Sequence, residues 1–82
     1  MASTSAGTSL NPLRQFRELK HLTARRVANE LGLTERTVLA YETGSFKPSN
    51  TRMGDLANLM QVDFHILEAE WSFWLSSLQN NA

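Results

Sequence analysis

The sequence predicts an all-α chain of five helices, the last of them extended. Three observations carry this. Asn11, Thr23, Thr34 and Asp63, all side chains that cap helix N-termini, each stand just ahead of apolar residues at helical spacing. Gly32 and Gly44 close two of these patterns, as glycine does where a helix ends in the left-handed conformation. No stretch alternates in the manner of a strand, and no segment repeats.

Residues 1–9 are Ser, Thr, Ala and Gly with one Met and read as a flexible arm. Asn11 then caps a first helix with Pro12 at its first position, running from residue 12 to about 20 with Leu13, Phe16 and the Lys20 methylenes on one face. Thr23 caps a second helix over residues 24–31, with Val27, Ala28 and Leu31 inward. Gly32 ends it, Leu33 is an apolar plug, and Thr34 caps a third helix over residues 35–43 that buries Val38 and Tyr41 and stops at Gly44. A loop holding Phe46, Lys47 and Pro48 leads to a fourth helix over residues 50–60, with Met53, Leu56, Ala57 and Met60 inward. Gly54 weakens that helix by roughly 1 kcal/mol relative to alanine. Asp63 caps a fifth helix that continues to Leu78. The expected organisation is an arm (1–9), one domain (10–79) and a frayed tail (80–82).

The 82 residues suffice for one compact domain with a modest core. There is no cysteine, and His21 and His65 are scattered, so neither a disulfide, a metal site nor a cofactor is expected. No nucleophile–base pair, carboxylate dyad or phosphate loop points to an enzyme. No apolar run reaches membrane-spanning length and no signal-peptide pattern opens the chain, so a cytoplasmic protein is expected. The formal net charge is zero, but its distribution is uneven. All eight cations precede Met53 against four of the acids, leaving +4 there, while Asp55, Asp63, Glu68 and Glu70 leave −4 behind it. A basic front suits a polyanion on one face.

Two helices joined by three or four residues, with a small residue where they cross, describe a helix-turn-helix. The crossing position is Ala28, the left-handed turn is Gly32, and Val27, Leu31, Leu33, Val38 and Tyr41 lock the pair. The stretch TARRVANELGLTERTVLAYETG, followed by KPSNTRMGDLANLMQVDFHIL, resembles the phage-repressor and Cro-type family, also called XRE, over about two thirds of the chain, residues 13–67. The resemblance implies an ion pair between Arg17 and Glu42. The chain departs from the family pattern at Ala24, where glutamine is common, and at His21 and Gln61, where glycine is common, so both of those helix ends are expected to turn less sharply.

The resemblance further implies that the third helix enters the major groove of DNA. With Val38 and Tyr41 inward, Glu35, Arg36, Leu39, Ala40 and Thr43 form its exposed face and are the candidates for base readout. Arg36 suits guanine O6 and N7, Glu35 suits cytosine N4, and Leu39 and Ala40 suit thymine methyls. Phosphate contacts are expected from Thr23, Arg25, Thr34, Lys47 and Arg52, with the helix N-termini behind them.

The fifth helix carries two apolar faces. Phe64, Leu67, Trp71, Trp74, Leu75 and Leu78 make one stripe, while Ile66 and Phe73 lie opposite. One face can close the domain's core and a second needs another partner. Leu67, Trp71, Trp74, Leu75 and Leu78 are the residues expected to pair two copies. The leading expectation is a dimeric transcription regulator that binds a palindromic operator in double-stranded DNA. The other reading is a protein-interaction module of antitoxin or adaptor type that keeps the same scaffold, a reading to which Glu35 and the aromatic tail contribute.

Overall fold

A computed structural model describes residues 11–80. Its helices are α1 (Pro12–Leu19), α2 (Ala24–Leu31), α3 (Glu35–Thr43), α4 (Asn50–Met60) and α5 (Phe64–Asn80), with no strand among the described residues. The arm expected over residues 1–9 lies outside the described residues, as do Asn81 and Ala82. Asn80, expected to fray, is the last residue of α5.

Each helix start has a local chemical cause. Asn11 Oδ1 accepts from the Leu13 and Arg14 amides at 2.9 and 3.1 Å. The hydroxyls of Thr23, Thr34 and Ser49 accept from the amides of Arg26, Thr37 and Arg52 at 3.0, 3.2 and 3.3 Å. Asp63 Oδ2 accepts from His65 and Ile66 at 2.9 and 3.2 Å. These bonds satisfy amides that have no partner inside the helix.

The helix ends correct one expectation. His21 and Gln61 turn as fully as the glycines do, with φ of 58° at both, beside 70° at Gly32 and 86° at Gly44. The amide after each turning residue reaches back five positions. Leu22 bonds Arg17 O at 2.8 Å and Val62 bonds Ala57 O at 3.0 Å, and these bonds draw the non-glycine residues into the left-handed region.

The core draws on every helix. Leu13, Val27, Val38, Met53, Leu56, Leu67 and Trp71 are essentially inaccessible, and Ala24, Ala28, Tyr41, Ala57 and Trp74 join them. Lys20, placed by periodicity on the inner face of α1, is exposed. α2 and α3 pack intimately on each other, and α5 lies against α1 and α4.

Helix α5 also corrects the expected dimer seam. Leu67, Trp71 and Trp74 are 1%, 0% and 5% exposed within the single chain, and Leu75 packs partly against the same cluster. Trp71 and Trp74 meet edge to face at 6.3 Å between ring centres. A domain this small has little apolar material elsewhere, so both tryptophans serve its own core. Leu78, 40% exposed, is the exception, though its Cδ1 comes within 3.0 Å of where a Cβ on Gly44 would stand. Apart from Leu78, the large apolar residues left in solvent on α5 are those of the other face, with Ile66 57% and Phe73 75% exposed.

Candidate nucleic-acid interface

The geometry of α2 and α3 follows from the residues between them. Gly32 takes the left-handed turn, Leu33 bonds back to Ala28 O at 2.8 Å and packs partly into the core, and Thr34 starts α3. The buried methyl of Ala28 suits a close pairing of helices, where a longer side chain would hold them apart. Val38 and Tyr41 anchor α3 inward. Opposite them, Glu35, Arg36, Leu39 and Thr43 are exposed and Ala40 is half-buried. Arg36, Leu39, Ala40 and Thr43 follow the spacing of one helical face.

The cations divide into two groups. Arg14 pairs with Glu18 at 2.9 Å, Arg17 with Glu42 at 2.8 Å, Arg26 with Glu30 at 3.2 Å and Arg52 with Asp55 at 3.2 Å. Among the described residues Arg25, Arg36, Lys47 and Lys20 form no ion pair. Three of these four belong to the helix-turn-helix region: Arg25 in the first turn of α2, Arg36 in the first turn of α3, and Lys47 in the loop after α3. Two of them, Arg25 and Arg36, thus stand at helix starts, where free amides also favour anions.

Several of the residues expected to contact phosphate, and Thr43 of the expected base-reading face, are engaged internally. Arg52 Nη1 donates to Asp55 and, at 3.5 Å, to Leu31 O, so it braces α4 against the end of α2 rather than standing free. Thr23 and Thr34 spend an acceptor lone pair on their caps while staying exposed, and the Thr34 and Thr37 hydroxyls lie 2.9 Å apart. Thr43 Oγ1 donates to Ala40 O at 3.2 Å and lies 3.1 Å from Ser45 Oγ.

Behind this surface α3 is fastened to α1 at two points. Arg17 Nε and Nη2 donate to the two Glu42 carboxylate oxygens at 2.8 and 2.9 Å, and Nη1 donates to Leu22 O at 3.2 Å. The side chains are only 16% and 4% exposed. Hydrogen bonding to Glu42 raises the Arg17 pKa; burial opposes this, and the Glu42 and Glu18 charges add to it. The second fastening is Asn11, 2% exposed, whose Nδ2 donates to Tyr41 O at 3.4 Å while its oxygen caps α1. Sequence reading finds the cap and misses the tie to Tyr41, because nothing within four residues of Asn11 reports what lies across from it.

Residues 13–67 match the family model described as helix-turn-helix. The chain belongs to the XRE-type helix-turn-helix family. It is a family of DNA-binding regulatory domains, not of enzymes. No curated protein and no solved structure matches the chain. Within this helix-turn-helix domain Ala24, which replaces the glutamine common in the family, is 6% exposed and packs into the core. The family match stops at Leu67, one turn before Trp71, although α5 continues to Asn80. Among the described residues no helix is long and apolar enough to cross a membrane.

Proposed function

We propose that this protein is a sequence-specific, dimeric transcription regulator that reads double-stranded DNA with α3 in the major groove. The observation that carries the reading is the set of cations without an ion pair among the described residues, Arg25, Arg36 and Lys47, gathered on the helix-turn-helix region while four other cations are matched with acids. Arg36 donates to guanine O6 and N7, and Glu35 accepts from cytosine N4. Leu39, 42% exposed, and Ala40 pack on thymine methyls, with Thr43 at the end of the same face. Arg25, Lys47 and the amides and hydroxyls at Thr23 and Thr34 hold phosphates, while Arg52 keeps α4 in register behind them. Two copies then read a palindrome whose half-sites lie roughly 34 Å apart. On this reading the protein works beside the genome, in the cytoplasm.

The test is selection of random duplexes by the purified protein, followed by salt titration of the selected site. Binding is expected to weaken with salt at a log–log slope of roughly −0.9 per phosphate contact. Arg36→Ala is expected to relax preference at one base pair by roughly 1–3 kcal/mol. Lys47→Ala is expected to weaken all sequences alike and flatten the slope. Absence of binding to any duplex at about 50 mM salt, where phosphate contacts are strong, overturns the reading.

A further inference from the structure

A groove of about 1040 Å³ runs between α1 and α5, with Met60 and Val62 at one end. Three aromatic side chains line it: Phe16 on α1, and Phe73 and Trp74 on α5. The apolar groups at its mouth are wet, with Leu19 76% and Phe73 75% exposed. No lining residue belongs to α2 or α3, so the groove is separate from the candidate nucleic-acid interface. Its volume stands at the upper end of the range for small-molecule sites, roughly 300–1,000 Å³. Such sites have mostly apolar and aromatic walls with a few polar groups among them. The groove has that make-up, its polar side chains being Gln15, Glu70 and Ser77.

The polar groups select the occupant. Glu70 is the only charged residue that lines the groove. It has no ion pair among the described residues, whereas Glu18, Glu30, Glu42 and Asp55 each hold an arginine. α5 carries no Lys or Arg that could neutralise it from its own helix. Phe73 and Trp74 follow Glu70 by three and four positions, so the acid and both rings share one helix face. Phe16 lies across the groove from them. A carboxylate among aromatic rings suits a weakly hydrated organic cation, because the acid attracts the charge and the ring faces are themselves negative. Other occupants match these groups less well. An anionic amphiphile is repelled by Glu70. A neutral hydrocarbon strips water from the carboxylate and returns nothing for it. A compact ammonium is strongly hydrated and leaves the apolar walls wet. A metal ion lacks ligands, since no group of three or more His, Cys, Asp or Glu able to hold one occurs among the described residues.

We infer that the α1–α5 groove binds a lipophilic organic cation, a small molecule whose positive charge is spread over or surrounded by apolar groups. The charge lies against the Glu70 carboxylate, and the apolar groups lie between Phe16, Phe73 and Trp74. Such a ligand covers the exposed rings of the groove and neutralises its one charge in the same step. The site stands apart from both the DNA reading and the dimeric reading, since it uses no residue of α2 or α3 and is complete within one chain.

Titration calorimetry of the full chain tests it, with tetraphenylphosphonium as the cation and tetraphenylborate as an anion of the same shape. The phosphonium is expected to bind saturably and the borate at least about tenfold more weakly, a gap that one unit charge at a part-wet apolar site produces. Glu70→Gln is expected to weaken the phosphonium about fivefold or more and to narrow the gap between the two probes. Glu68→Gln makes the same change of charge two positions away, outside the groove, and is expected to leave both probes unaffected. Phe73→Ser, which alters an exposed side chain, is expected to weaken the phosphonium about tenfold, as loss of an aromatic anchor does. Circular dichroism checks that each variant is folded. Absence of saturable phosphonium binding up to about 1 mM, the weak end of the affinity scale, overturns the inference. So does borate binding as tight as that of the phosphonium, which would make the groove a general apolar face of the kind that takes a protein helix. A phosphonium affinity that Glu70→Gln leaves unchanged, or that Glu68→Gln lowers equally, overturns it as well.

Discussion

The helix-turn-helix pair, α2 and α3, and the helices that flank it end in the same way on different residues. In α1 to α4 the amide after the left-handed residue returns to a carbonyl five positions back: Leu22 to Arg17, Leu33 to Ala28, Ser45 to Ala40 and Val62 to Ala57, all between 2.8 and 3.0 Å. The hydrogen bonding is thus alike at all four. The helix-turn-helix pair places Gly32 and Gly44 at the left-handed position, whereas the flanking helices place His21 and Gln61 there. A Cβ in that conformation crowds the following carbonyl, at roughly 1–2 kcal/mol per residue. The comparison teaches that the motif is set by the returning bond and by what holds it. Glycine makes it easier without being its cause. At His21 the holding groups are visible: Leu22 packs against the core and its carbonyl receives Arg17 Nη1. Gln61 is followed by Val62, which is 42% exposed, so less tertiary support stands behind that turn.

The comparison can be broken most severely at the group that organises the His21 end. Glu42→Ala removes the acceptor that orients Arg17 and is expected to cost about 3 kcal/mol in thermal or urea unfolding, the lower end for a buried pair because Arg17 keeps some access to water. Loss well under 1 kcal/mol would show that the pair organises nothing. The next largest effect is expected within the helix-turn-helix pair. A Cβ on Gly44 would meet Leu78 Cδ1 at 3.0 Å and Trp74 Cη2 at 3.4 Å, besides adopting a φ of 86°. Gly44→Ala is therefore expected to cost about 2 kcal/mol, combining backbone strain with local overpacking. Gly32→Ala meets nothing within 4 Å and is expected to cost only the backbone strain, about 1 kcal/mol. Equal melting of the two variants would remove the close approach from the explanation.

The flanking ends sharpen the comparison from the opposite direction. Gln61→Gly is expected to stabilise by up to about 1 kcal/mol, since relief of the Cβ exceeds the added freedom of the unfolded chain. The smallest effect is expected from Gly54→Ala, within α4 and with nothing within 4 Å, which should stabilise by roughly 0.5–1 kcal/mol. If Gly54→Ala stabilises while Gly32→Ala does not, the two glycines are separated by their φ alone.

These contrasts also explain what could be read in advance. The caps at Asn11, Thr23, Thr34 and Asp63 and the stops at Gly32 and Gly44 are decided by atoms within a few residues, so the bounds of α2 and α3 and the starts of α1 and α5 were legible. The exposed face of α3 was legible for a related reason, since Val38 and Tyr41 mark its inner side. The choice between the two faces of α5 was not legible from α5 alone. Both faces are apolar, and the choice depends on which one meets α1 and α4. The engagement of Arg52 with Leu31 O spans 21 positions, and a periodic pattern holds no information about it. Phe73, 75% exposed, lies on the face of α5 that the core leaves in solvent, while the tryptophans, whose size suggests more apolar surface than one small core would take, are buried within the single chain.

The approach of Leu78 and Trp74 to Gly44 has a consequence for modularity. The stretch that matches the family ends at Leu67, yet the closing side chains of the core, Trp71 and Trp74, lie beyond it. They lie in the part of α5 that also abuts the end of α3. In this chain the portable unit of recognition and the cooperative unit of folding therefore have different boundaries. A recognition cassette cut at the family boundary and grafted elsewhere would carry α3 without the wall against which it stops, and its last turn would be free to open on its own. Transplanting the helix-turn-helix of this protein intact means moving α5 with it, through at least Leu78.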